Sequence, residues 1–123
     1  MDAVPPHPGS PSVWDTVRVD FPFADRAEVR RRPALVVAVA HVHADFSVLW
    51  LAMITSASGG SWPFDVPVSD LRSGGLLRPC VVRISKVASV DARLAGWIGT
   101  LASADRRAVA AILRDVLKPV LTL

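Results

Sequence analysis

A chain of 123 residues, 51% of them apolar, is long enough to bury one core and too short for two, so a single folded domain is expected. Its longest apolar runs, residues 34–40 and 48–54, are seven residues each, which excludes a membrane-spanning helix. The net charge of +3 and pI near 10 suit an anionic partner, and of 14 basic residues only Lys86 and Lys118 are lysines.

Arginine offers a planar fork that meets phosphate oxygens in pairs and stacks on bases, although a GC-rich coding sequence would impose the same bias. The chain has no Asn, Gln or Tyr, so any reading of bases falls to Arg, Ser, Thr, Trp and the backbone.

The N-terminal segment MDAVPPHPGSPS lacks a basic region followed by an apolar one, which argues against a secretory signal or an anchor. Residues 1–12 are expected to be a disordered Pro-rich leader, and 13–123 a single domain. One cysteine, Cys80, can form neither an internal disulfide nor a cysteine metal cluster, which fits a reducing compartment and a cytoplasmic location.

In residues 16–23, Val17, Val19 and Phe21 alternate with Arg18 and Asp20, the period of a half-buried strand, and Pro22 suggests that it ends there. A charged loop, ADRAEVRR, follows over 24–31. The runs ALVVAVA (34–40) and SVLWLAMIT (47–55) are apolar on both faces and rich in β-branched residues, so they predict two central antiparallel strands joined through HVHADF. SASGGSWP (56–63) reads as a loop, residues 64–68 as a short edge strand, and DLRSGGLLRP (70–79) as a reversal marked by Gly74 and Gly75.

CVVRIS (80–85) alternates again, with Val82 and Ile84 on one face and Arg83 and Ser85 on the other. A last short strand is expected over 97–101. Ser103 is then expected to cap a helix whose apolar stripe, Val109, Ile112, Leu113, Val116, Leu117 and Val120, packs on the sheet. This succession predicts a mainly β fold with a C-terminal helix, in the manner of an SH3-like barrel.

Candidate chemistry is sparse. His41 and His43 would point to one side of a strand, but only Asp45 is close enough in sequence to be a third ligand, so no metal site is expected. Cys80, preceding two valines without a local partner, reads as a buried structural thiol. SASGGS lacks the Lys and the helix of a phosphate loop. What remains is the junction of RRRP (30–33) with ITS (54–56): if the two apolar runs pair antiparallel, Arg32 lies beside Thr55. A fixed guanidinium next to a hydroxyl is a candidate phosphate or oxyanion site.

Taken in order, WDTVRVDFPF, the charged loop, RRPALVV, LAMITS, WPFDVPVS, GLLRPCVVRISKVASVD and the C-terminal helix resemble the MazF/PemK family, the toxin components of type II toxin-antitoxin pairs. The resemblance implies a homodimeric SH3-like barrel of the CcdB/PemK/MazF type. It further implies cleavage of single-stranded RNA without a metal or cofactor, and neutralisation by a cognate antitoxin. On it, Arg32 and Thr55 are the active-site pair. PemK-like members also carry Arg-x-Asp on the strand that reads VVRIS here; Arg83 matches, and Ser85 stands in place of the Asp.

In the chemistry so implied, the ribose 2′-hydroxyl attacks, Arg32 and Arg83 hold the phosphate, Thr55 donates a hydrogen bond, and Arg30, Arg31, Ser56 and Ser85 contact RNA. Glu28, the one glutamate of the chain, is the candidate base, with His41 and His43 as fallbacks. The family commonly opens its first strand with Gly-Asp, where this chain has Trp14 and Asp15. Two alternatives stand beside this reading. One is a non-catalytic barrel that binds RNA or antitoxin, suggested by Ser85; the other is a gyrase-binding toxin of the CcdB type, against which the ending VLTL argues.

Overall fold

The computed structural model describes residues 9–22 and 29–123, and the side chains of all of these except Phe21, Pro22, Val29 and Arg30. Six strands, β1 (Asp15–Pro22), β2 (Val29–His43), β3 (Phe46–Ser56), β4 (Asp65–Pro67), β5 (Cys80–Asp91) and β6 (Gly96–Thr100), precede one helix, α1 (Ser103–Leu121). They form an antiparallel sheet in the order β4-β5-β3-β2-β1-β6. The mainly β fold with a C-terminal helix is as expected. The sheet curls without closing, since β4 and β6 are its two edges and do not pair with each other.

The central strands are apolar on both faces because both faces are covered. Leu35, Ala52, Ile54, Val82 and Ile84 meet Leu101 and Val109 in one core, while Val17, Val19, Val36, Leu49, Leu51 and Met53 meet Ala92 in the other. Neighbours such as Leu35 and Val36 are thus both fully buried, facing opposite ways, and each such side chain contributes roughly 1.5–3 kcal/mol. The curl has a local origin in β5, where Ala52 faces Val87 but Met53 faces Arg83, so that three residues of β5 bulge out between one step of β3. Strands β2 and β5 are longer than their apolar runs, because pairing on both sides carries polar residues at their ends into the ladder.

Trp14 occupies the position where the resembled family carries glycine, and its φ of 78° is the left-handed conformation that glycine favours. Its N–H donates to the Val36 carbonyl and its own carbonyl accepts from Leu101, which locks the turn. Of the expected Pro-rich leader, residues 1–8 lie outside the described residues, while Pro11 is buried and the Ser12 N–H donates to Asp15.

Helix α1 departs from expectation twice. Ala102 is the capping residue and makes no side-chain bond, while Ser103 is already helical. Only the first half of the stripe packs, through Val109, Ile112 and Leu113. Val116 and Leu117 are each 42% exposed and Val120 is 62% exposed.

The segment between β4 and β5 is fastened on three sides. The Asp105 carboxylate accepts from the Ser69 N–H and hydroxyl and from the Asp70 N–H. The Thr16 hydroxyl donates to the Gly74 carbonyl at 2.6 Å, and the Thr100 N–H donates to Ser73. At Gly99 a Cβ would come within 2.5 Å of the Gly74 backbone, so only glycine permits this approach. One wall of the groove described next is built on this fastened segment.

Candidate active site

The candidate residues lie near one another at the end of the sheet where β1 and β3 finish and β2 begins. The β2–β3 ladder ends where Ala34 faces Met53, and beyond that end Arg32 of β2 and Thr55 of β3 line one groove. Val19 flanks Arg32 from the other side, and Arg18 faces Pro33. Arg18, Arg32, Pro33 and Thr55 line a groove of ≈ 430 Å³ together with Ser56 and, on the fastened segment, Leu77 and Arg78. The two walls are tied where the Ala57 N–H donates to the Pro79 carbonyl at 3.1 Å.

The groove is cationic. Arg18, Arg31, Arg32 and Arg78 line it, and no carboxylate does so among the described residues. Arg31 reaches Asp20 at 3.8 Å, but both are more than half exposed, so the pair does little to discharge the groove. Thr55 is half-buried in the groove that Arg32 also lines, while Ser56 accepts from the Ser58 N–H and caps the short 3-10 turn that follows β3. Cys80 forms part of the floor; burial, aided by the charge of Asp105, pushes its thiol above the ordinary value, so it stays protonated and inert near neutral pH.

Arg83 stands elsewhere. Its Nε and Nη2 donate to the two carboxylate oxygens of Asp65 at 3.1 and 3.0 Å, Nη2 also donates to the Gly60 carbonyl, and the guanidinium lies 4.1 Å from the ring centre of Trp62. Both side chains of the pair are 10% exposed or less. The guanidinium holds Asp65 below the usual carboxylate range, outweighing the opposing effect of burial. The expected place of Arg83 beside Arg32 on one phosphate is therefore not what the fold provides: its fork is occupied by Asp65, and it does not line the groove. Ser85 is exposed in the β5 bulge, also off the groove.

Glu28 and the side chain of Arg30 lie outside the described residues. His41 shares a 2.8 Å hydrogen bond with Ser47, and His43 stacks near Phe46 at the far end of the β2–β3 hairpin. Among the described residues no three metal-ligating side chains stand together. Sequence reasoning missed Arg18 and Arg78. Arg18 was within reach of it, because pairing the first predicted strand with RRRP brings Arg18 beside Pro33; Arg78 depends on the path of a turn segment, for which the sequence holds no such signal.

Fold and groove together define a class: a small curled β domain presenting clustered guanidinium groups and a strand-end hydroxyl, an arrangement suited to a phosphate. Residues 13–117 match the family model of the PemK-like, MazF-like toxins of type II toxin-antitoxin systems, and the chain belongs to that family.

Solved structures share the fold. MazF from Deinococcus radiodurans is 24% identical over 89% of this chain and 97% of its own, with a TM-score of 0.65. The Mycobacterium tuberculosis toxin MazF-mt6 is 20% identical over 83% and 95%, with a TM-score of 0.60. A mycobacterial endoribonuclease in complex with its cognate antitoxin is 16% identical over 89% and 96%, with a TM-score of 0.64. No curated protein matches the chain in sequence.

Proposed function

We propose that this toxin is a metal-independent endoribonuclease that cleaves single-stranded RNA at short sequences, acting as a cytoplasmic homodimer held in check by a cognate antitoxin. The observation that carries the reading is the meeting of Arg32 and Thr55 in a groove lined by three further arginines. Among the described residues no helix is long and apolar enough to cross a membrane.

The chemistry follows from the groups present. The ribose 2′-oxygen attacks the adjacent phosphorus, its proton passes to a base, and the bond to the 5′-oxygen breaks as that oxygen gains a proton. The products are a cyclic phosphate and a 5′-hydroxyl. Arg32 neutralises the charge growing on the phosphoryl oxygens and Thr55 donates to one of them. Arg18, Arg31 and Arg78 draw the flanking phosphates into line, with Ser56 beside them, and Arg30, next to Arg31 in sequence, is a further RNA contact in this reading. Arginine is a poor base because its pKa exceeds about 12, so proton removal falls to Glu28 in the segment leading into β2. Arg83 and Ser85 act on RNA through the loop next to them rather than on the scissile phosphate.

Incubation with a long single-stranded RNA in EDTA tests this directly. Discrete cuts with cyclic-phosphate ends, lost in Arg32→Ala and Thr55→Ala, are expected. RNA retained without cuts by the folded wild type would instead establish the non-catalytic binder, which Ser85 in place of Asp favours. The antitoxin is expected to lay a disordered acidic segment along the same groove; a complex that neither weakens with salt nor competes with RNA would refute that.

A further inference from the structure

The loop between β3 and β4 leaves the groove at Ser56 and rejoins the sheet at Asp65, carrying two large aromatic residues that the core does not use. Trp62 is 47% exposed and Phe64 is 50% exposed. Exposed rings on loops are common, but these two are held rigidly. The Trp62 N–H donates to the Asp65 carboxylate at 2.8 Å and the Asp65 N–H donates to the Trp62 carbonyl at 3.2 Å, closing a tight turn around Pro63. Phe64 sits at a φ of 71°, a conformation that a bulky side chain adopts only where its surroundings impose it. Beneath the turn, the buried Arg83 grips Asp65 with both arms of its fork, bonds the Gly60 carbonyl and backs the indole ring.

The location ties this turn to the groove. Cys80 on β5 faces Ser56, and Arg83, three residues along the same strand, faces Asp65. At about 3.3 Å per residue the aromatic turn stands roughly 10 Å from the groove, a distance that neighbouring nucleotides of an extended strand can bridge. A pre-set ring beside a cationic groove is how sequence-tolerant proteins grip single strands: phosphates are drawn in by charge, and a base stacks on the exposed ring with little ordering left to do.

Resting on the ribonuclease reading, we propose that Trp62 and Phe64 form a stacking platform for an unpaired base flanking the scissile phosphate, and that Arg83 is the positioning residue that holds it. The platform commits this region to RNA. A protein partner on the same rings would not distinguish a strand with bases from one without.

The test measures binding of the full chain to a short mixed-sequence 2′-O-methyl RNA, whose blocked hydroxyl prevents cleavage, and to the same backbone lacking its bases. Trp62→Ala and Phe64→Ala are expected to lose at least about five-fold in affinity for the first strand and nothing for the second, with the dependence on salt unchanged. Arg83→Lys, if folded, should behave as Trp62→Ala does; the two loop variants carry the test if it is not. Loop variants that bind the base-bearing strand as the wild type does, or lose equally on both strands, would overturn the platform while leaving the ribonuclease intact. A folded wild type that binds neither strand and leaves RNA uncut would overturn both.

Discussion

A guanidinium and a hydroxyl carried into one groove on neighbouring strands differ from the same groups on flexible loops, because neither has to be ordered when substrate arrives. Arg32 and Thr55 should therefore act mostly in the transition state. Each alanine variant is expected to slow single-turnover cleavage by about 10²–10³ while changing RNA affinity little, and to melt close to the wild type because both residues line an open groove. Arg83 should behave oppositely. Removing one partner of a buried, bidentate pair strands the other charge, so Arg83→Met is expected to cost about 3–5 kcal/mol in urea denaturation. The double variant Arg83→Met with Asp65→Leu should recover much of that loss, since no buried charge is then left alone. If Arg83→Met unfolds no more readily than the wild type, the pair does not hold the loop.

At the scale of elements, what the sequence made legible was the strands whose own side chains show their period. Val17 and Val19, most of the two apolar runs and Val82 with Ile84 lie in cores where alternation or β-branching placed them, while Trp50 within the second run is 57% exposed. That Arg32 and Thr55 share one groove was legible for the same reason, since two runs long enough to pair fix which ends lie near each other. The purpose of Arg83 was not, because its partner Asp65 comes from a three-residue strand 18 positions away whose register no local pattern specifies. Nor was the role of Asp105, which reads in sequence as an ordinary first-turn carboxylate yet fastens residues 69 and 70 across the fold. Burial works to raise its pKa, but the hydrogen bonds from Asp70 and Ser69 outweigh burial and leave it below the ordinary 3.8. The proton therefore binds the unfolded chain more tightly. The resulting stability is complete above the ordinary carboxylate range and is lost as pH falls from there through the lower folded value. Asp105→Asn should be less stable at neutral pH and flatter in its acid limb, the remainder of that limb being shared by the other carboxylates held low by their partners, Asp65, Asp70 and Asp91. Equal acid limbs in melts of the two proteins would remove Asp105 from this role.

The whole molecule leaves two surfaces unfinished, one charged and one apolar. The arginine groove predicts RNA binding whose logarithm falls linearly with the logarithm of salt, and removing an arginine that holds a flanking phosphate should lower that slope by about 0.7 for a single strand. Arg78→Ala and Arg18→Ala test this without touching the proposed chemistry. The apolar surface is the second half of α1, where Val116, Leu117 and Val120 run beyond the cover of the sheet with Leu121, 71% exposed, beside them. A helix gains little by showing such a stripe to water, and a second copy of the chain offers an equal stripe to cover it. The homodimer is thus expected to lean on α1, and Leu117→Glu with Val120→Glu should yield a folded monomer by light scattering. Both residues lie well past Val109, where the helix is anchored to its core, so the fold should survive the change. A double variant that remains dimeric would place the dimer contact on another face. A monomeric variant that still cuts RNA would show that each groove is complete within one chain.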